Sequence, residues 1–370
     1  FRENTWAVLH YEAFDKFPVV SFGYWKETVQ KWQAEGHLTQ EEAESYIQYG
    51  DNGPGDRAIM KKLGFDFNWN SCVGAITDLF PKFERKVLEQ HEDQSQVIRD
   101  ENGLITLVKP GVVSIPAEIG TSLTDRSVWE QEYLPRLQFS MERLDLSQLE
   151  ALKDDTDREI PIGIHCGSLM GKVRDLLGVE QLSYLMADDP DLYLEIIDTM
   201  DRLCFQCVQA ILDTGAKFDF AHFWEDICFK TGPLVIPSLF HDSVGPHYRE
   251  ITSLLNSRGI DIVSLDCDGW IDLLIPTWIE NGVNTMFPIE VGTWNASIAP
   301  WRERYGKELR GVGGMDKRVF AYDYQAVDRE IERLRPLIEL GGYIPCPDHR
   351  IAPDPKFENV QYYCDRMQNL

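Results

Sequence analysis

The residues with the most chemistry to offer fall into six short clusters in the C-terminal part of the chain. They are Cys166-Gly167-Ser168, Trp224-Glu225-Asp226, Asp266-Cys267-Asp268-Gly269, Glu290, Gly313-Gly314-Met315-Asp316-Lys317-Arg318 and Asp348-His349-Arg350. Every cluster but the first carries a carboxylate. Crowded carboxylates repel one another unless a cation, a proton or a positively charged substrate offsets their charge. Asp266 and Asp268 are spaced two apart, so in an extended segment both project to one side while Cys267 points to the other. Joined by the distant His349, such a pair offers the oxygen and nitrogen donors of a metal site. Asp and Ser also cap helices well, so each cluster taken singly reads equally as the start of a helix.

Each cluster follows a short apolar run, and those runs must place it. From about residue 159 the runs 160–165, 218–223, 261–265, 285–288, 309–312 and 342–344 alternate with amphipathic stretches such as 239–257 and 325–340. Strands alternating with helices imply parallel strands joined by crossovers. With two earlier candidates, at 18–22 and 63–67, the count predicts an α/β fold: a closed (β/α)8 TIM-type barrel, with a doubly wound sheet as the alternative. In such a barrel the strand tips converge on one rim, where barrel enzymes keep their active sites. Residues 1–158 read as an N-terminal part that decorates the barrel. A charged helical stretch at 28–48 is broken by the turn-forming Asp51-Asn52-Gly53-Pro54-Gly55, and a β-hairpin is predicted around Asn102-Gly103. One domain over 1–370 is expected, since barrels with insertions reach this length.

Charge and composition narrow the classes of partner. The 370 residues carry 61 acids against 36 Lys and Arg, a formal charge of −25. That surface repels phosphate backbones and anionic membranes, so neither nucleic acid nor a membrane is an expected partner. No stretch approaches the roughly 18 consecutive apolar residues of a membrane span. Residues 1–4 lack the basic start and apolar core of a secretory signal, and the cysteines Cys72, Cys166, Cys228 and Cys267 fall singly in hydrophobic segments, so a reducing, cytoplasmic setting is expected. Cys204 and Cys207 form a CxxC pair within a helical stretch, with no second pair to complete a zinc set; they read as packing residues.

Several of these motifs resemble those of the uroporphyrinogen decarboxylase superfamily. Gly313-Gly314-Met315-Asp316-Lys317-Arg318 is similar to the Gly-Gly-(Ile/Met)-Asp-Lys-Arg stretch of that superfamily. The resemblance extends to Trp224-Glu225-Asp226 with 230–234, to 268–290, and to 341–359, in order, and more loosely back to Phe22-Gly23-Tyr24-Trp25. It implies a (β/α)8 barrel and one of two chemistries. The namesake branch decarboxylates acetate side chains of a porphyrinogen without a cofactor. The other branch contains zinc-dependent methyltransferases that work with a corrinoid.

The namesake branch holds substrate carboxylates with an Arg-Gln-Ala-Gly-Arg element. Residues 21–28 stand in that place here with one Lys and no Arg. A substrate with many carboxylates would lose charge-assisted hydrogen bonds worth about 1.5–3 kcal/mol each. The methyltransferase branch carries a His-x-Cys-Gly element and a distal Cys as zinc ligands. Aligned through Gly269, Asp266 takes the place of the His and Asp268 that of the first Cys. His349 takes the place of the distal Cys, with Cys346 as its substitute.

The resemblance therefore implies a zinc-assisted methyltransferase that moves a methyl group from a small methoxylated substrate to a corrinoid, free or on a partner protein. Glu225 or Glu290 would be a supplementary ligand or general acid, and Tyr24, Trp25 and Trp224 would form apolar walls. The alternative is a cofactor-free carboxy-lyase. In it Asp316 or Asp226 would protonate a carbanion-like intermediate, and Lys317 or Arg318 would bind the carboxylate. A third reading is a corrinoid-binding module without activity.

Overall fold

The computed structural model describes residues 1–109, 117–155 and 157–370. Eight parallel strands follow one another around a barrel. They are β1 (Val20–Ser21), β2 (Phe67–Asn68 and, after a break, Cys72–Gly74), β3 (Gly163–His165), β4 (Phe220–Trp224), β5 (Val263–Asp266), β6 (Thr285–Phe287), β7 (Arg310–Met315) and β8 (Tyr343–Pro347). Strands β2 to β8 pair in chain order, and β1 pairs with the first piece of β2. The ring closes between the ends of β8 and β1, where Tyr24 bridges Ile351. There Trp25 N–H donates to the Ile351 carbonyl at 3.1 Å and Ile351 N–H donates to that of Gly23 at 3.0 Å. The barrel expected from the strand rhythm is the barrel found.

The outer helices follow from their apolar stripes. Asp189 caps the helix Pro190–Asp213 by accepting Leu192 N–H at 2.9 Å, and Pro190 occupies the first position, where its missing N–H costs nothing. Its buried residues recur every three or four positions, among them Ile196, Met200, Leu203 and Cys207. Cys204 and Cys207 lie fully inside this stripe, packed against the barrel. The helix Tyr324–Ile338 is built the same way, with Asp323 as its cap.

Three expectations shift in detail. The helical stretch at 28–48 is two helices, Lys26–Ala34 and Gln40–Tyr49, because Gly36 turns with φ +87° and Thr39 starts the second helix with Glu42 in a capping box. Gly245 and Pro246 likewise split the stretch 239–257 into Pro237–Ser243 and Gly245–Ser257. The apolar run 63–67 is mostly a helix end: Leu63 closes the helix Pro54–Leu63, Gly64 turns it off at φ +95°, and β2 begins at Phe67. The hairpin around Gly103 is present and belongs to a four-stranded antiparallel sheet. Among the described residues no helix is long and apolar enough to cross a membrane.

Candidate metal centre in the barrel mouth

Because all eight strands run one way, β4, β5 and β8 deliver their tips to the same rim. Asp266 is the last residue of β5, Cys267 turns into the core, and Asp268 emerges on the same side as Asp266. Gly269 then has to leave at φ +89°; a side chain there would put its Cβ 2.6 Å from the carbonyl oxygen of Cys228. Beside them, Asp226 follows β4 with φ +49°, in the left-handed region that Asp tolerates better than most residues. Two contacts hold it there. Its Oδ1 accepts the Asp268 N–H at 3.0 Å, and Arg174 donates to its carbonyl. The result is a group of three carboxylates, Asp226, Asp266 and Asp268, whose oxygens lie within 4.8 Å of one another. From the far side of the barrel His349 brings Nε2 to 3.2 Å from Asp268 Oδ2.

These groups line a cavity of about 290 Å³ together with Phe22, Trp224, His165 and His222, with Asn70, Cys72 and Arg350 completing the wall. The electrostatics are those of a site short of positive charge. Burial and the neighbouring Asp268 push the Asp226 carboxyl up to about 6. Burial, then Asp268 and Asp226, hold the Asp266 carboxyl well above the ordinary range. Arg350 is the one cation lining the cavity among the described residues, and it is already engaged by Asp51, with Nη1 to Oδ1 at 3.0 Å. Asp268 Oδ1 is buried with no hydrogen-bond donor among the described residues. An orphaned carboxylate oxygen next to two further carboxylates and an imidazole is the donor set of a divalent cation with oxygen and nitrogen ligands, and the residues fit one.

The other residues singled out from the sequence stand elsewhere. Glu225 is fully buried behind the cavity. It accepts N–H groups of Leu169, Met170 and Gly171 at 2.8, 2.9 and 2.7 Å, the Ser168 hydroxyl at 3.1 Å, and the Tyr248 hydroxyl. It thus satisfies the N-terminus of the helix Gly171–Asp188 and locks the loop after β3 to that after β4. Glu290 lies one layer out, accepting Gly269 N–H at 2.6 Å and the Thr293 hydroxyl at 2.7 Å; burial, then Asp268, raise its carboxyl. It braces the glycine that lets Asp268 leave β5.

Asp316 and Arg318 satisfy each other, with Nη2 to Oδ2 at 2.8 Å, and Lys317 Nζ donates to the Arg350 carbonyl at 3.0 Å. None of these three lines the cavity. Tyr24 is buried in the wall between barrel and helices, Trp25 is exposed, and Cys346 is buried in β8, its thiol raised by burial and by Asp348. Of the three aromatics, Trp224 is the one in the cavity, its outer face covered by Lys172 at 4.9 Å.

Sequence reasoning missed His165 and His222. Both sit on adjacent strands in paired register, His165 one residue before Cys166-Gly167-Ser168 and His222 two before Trp224-Glu225-Asp226, and strand alternation from Trp224 back to His222 was the available signal. Asn70 carried no such signal, because it lies in the break of β2.

The family model for uroporphyrinogen decarboxylase (URO-D) matches residues 130–370, more than half of the chain. Among solved structures the fold is similar to a methyltransferase from Methanosarcina mazei, at 15% identity and a TM-score of 0.59, covering 100% of this chain and 97% of that one. It is also similar to a B12-independent methionine synthase from a Shewanella species, at 10% identity and a TM-score of 0.51, covering 96% and 98%. At these identities the likeness is one of fold. A search of curated proteins finds no match. On the extent of the family match, borne by a closed barrel with its acid cluster at the strand tips, this chain belongs to the uroporphyrinogen decarboxylase (URO-D) family.

Proposed function

We propose that the barrel mouth carries out metal-assisted methyl transfer, taking a methyl group from a small methoxylated or similar substrate to a corrinoid acceptor, free or on a partner protein. The observation that carries this reading is the group Asp226, Asp266 and Asp268, with His349 against Asp268. In it Asp226, Asp266 and Asp268 would hold the metal, with His349 beside Asp268 as the nitrogen ligand, zinc being the expected ion. When bound, the metal supplies Lewis-acid stabilisation of charge on the oxygen that loses the methyl group.

The chain's own residues do the rest. Arg174 and the Asp268 N–H fix Asp226 in its left-handed turn, so the ligand geometry is set before anything binds. Trp224 and Phe22 form the apolar wall against which the substrate would pack and from which water is displaced. Glu225 is a positioning residue: it acts through the loop and helix that back Asp226. The carboxyls of Asp226 and Asp266 are protonated more readily than free ones, so a cation held there would compete with protons and would be held more tightly as pH rises.

The carboxy-lyase alternative gains little from this cavity. Among the described residues Arg350 is the one Lys or Arg that lines the cavity, and it is paired with Asp51, while Lys317 and Arg318 stand outside the lining, so a substrate carboxylate would meet three carboxylates and no free cation there. The Methanosarcina neighbour is a methyltransferase, which agrees with the proposal, while the Shewanella neighbour is a B12-independent methionine synthase, so a cobalamin-free acceptor is assayed beside the corrinoid.

Three assays on metal-loaded protein separate the readings: methylation of cob(I)alamin by methoxylated aromatics, methylation of a thiol acceptor without cobalamin, and decarboxylation of uroporphyrinogen. Chelator-sensitive methylation of cob(I)alamin is expected. Transfer to the thiol alone would replace the acceptor, and chelator-insensitive decarboxylation would overturn the proposal.

A further inference from the structure

The cavity has a second half that the metal centre does not use. His165 at the end of β3 and His222 in β4, one side-chain alternation before Trp224 at the strand tip, line the same cavity with ring centroids 6.0 Å apart. Hydrogen bonds on their far sides fix the tautomer of each ring. The Gly167 N–H points at His165 Nδ1 at 3.0 Å. A backbone amide only donates, so Nδ1 must accept, and in the neutral ring the proton sits on Nε2.

For His222 the argument takes one more step. Its Nδ1 lies 3.2 Å from the Ser264 hydroxyl, which itself accepts the Trp69 indole N–H at 3.0 Å. Ser264 is fully buried, and His222 Nδ1 is the one hydrogen-bonding neighbour among the described residues that can accept its proton. The hydroxyl therefore donates to Nδ1, and here too the ring proton is on Nε2. Neither Nε2 has a partner among the described residues, although both rings line the cavity. Two N–H donors are thus left for whatever occupies it.

We propose that His165 and His222 form a substrate clamp, two neutral imidazoles fixed as Nε2–H donors that hold a small uncharged molecule by an accepting oxygen of the ether or carbonyl kind. Burial supports the neutral state of both, lowering His165 to about 4, with Lys172 adding to the effect, and His222 to about 3, with His165 adding to it. A neutral clamp suits a neutral ligand, because the carboxylates lining the same cavity would repel an anion and Arg350 is engaged by Asp51. Phe22 and Trp224 supply the apolar surface for the rest of the molecule. The inference deepens the methyl-transfer reading, on which it rests for the identity of the oxygen: an ether oxygen held here would share one cavity with the metal ligands.

The test is a binding experiment on the metal-loaded full chain without any methyl acceptor, so that it is decided apart from turnover. The probes are anisole and ethylbenzene, which differ by an oxygen in place of a methylene. Nitrogen-15 spectra of histidine-labelled protein at pH 7 should show both rings protonated on Nε2 and bare on Nδ1. Anisole should shift both Nε2–H signals and bind about tenfold or more tightly than ethylbenzene, since two desolvated donors otherwise stay unpaired. His165→Phe and His222→Phe should each reduce that preference, and His222→Gln, which keeps an N–H near the ε position, should restore part of it. An Nδ1–H tautomer or a charged ring in the wild-type protein would overturn the proposal, even if the Phe variants fail to fold. So would equal affinity for the two probes, including binding of neither up to their solubility. Failure of methyl transfer with the anisole preference intact would sink the methyl-transfer reading and leave the clamp standing.

Discussion

Asp226→Asn should make the metal-free protein more stable while removing its capacity to hold the cation. Asn fits the same left-handed turn, since its short polar side chain tolerates φ near +49°, and its amide oxygen can still accept the Asp268 N–H. What changes is charge. Burial and Asp268 raise the Asp226 carboxyl from 3.8 to about 6. A folded-state value above the unfolded one means the native protein binds the proton more tightly. Stability from this group is then fully present below pH 4 and is lost as pH rises through 6. A difference of about two units corresponds to about 3 kcal/mol at pH 8. The variant has no such loss, so its advantage in chelator-treated protein should be near zero at pH 4, grow between pH 4 and 6, and level off near 3 kcal/mol above. Urea unfolding of both proteins across that range measures it. Adding zinc should reverse the order at pH 8, because the cation stabilises the wild-type carboxylates and binds the native state selectively. An advantage that does not vary with pH, or one that zinc leaves untouched, would refute the account of a repelling carboxylate group awaiting a cation.

Three further outcomes follow from the geometry. Asp268→Ala should lose most bound metal, read by elemental analysis after dialysis, and keep a cooperative unfolding transition, because the residue sits on the rim and not in the core. Replacing Cys204 and Cys207 by Ala should cost on the order of 1–2 kcal/mol each in denaturant unfolding, for lost buried volume, with metal content unchanged. Glu225→Ala should be the most damaging of the set, about 3–5 kcal/mol by the same measurement, since it strips partners from three buried N–H groups and two hydroxyls. A milder loss there, with activity abolished, would instead assign Glu225 a direct part in the chemistry.

The sequence by itself determined a parallel α/β arrangement, in which the number of runs favoured a closed barrel over a doubly wound sheet; the closure itself is made by the contact of Tyr24 with Ile351. Six apolar runs separated by amphipathic stretches leave parallel strands with crossovers as the arrangement that buries both faces, and parallel strands send their tips to one rim. It also determined that Asp266 and Asp268 share a side, since alternation along a strand is a local property. Tertiary structure decided which of the acids at the tips belong together. Asp226 and Glu225 are adjacent in the chain, yet the left-handed turn at Asp226 sends one carboxylate into the cavity and the other behind it to hold a helix start. Asp316 looks as available as Asp266 in sequence, and Arg318 two residues on neutralises it. Cys346 and His349 are three apart, but β8 buries the first, and the chain beyond the strand swings the second over Asp268. Alternation could have flagged His222, but the roles of His165 and His222 were set by tertiary contacts. Their tautomers depend on Gly167, Ser264 and Trp69, partners brought in by chain turns and neighbouring strands, and a hydrogen bond between residues 42 or 195 positions apart leaves no trace in local spacing.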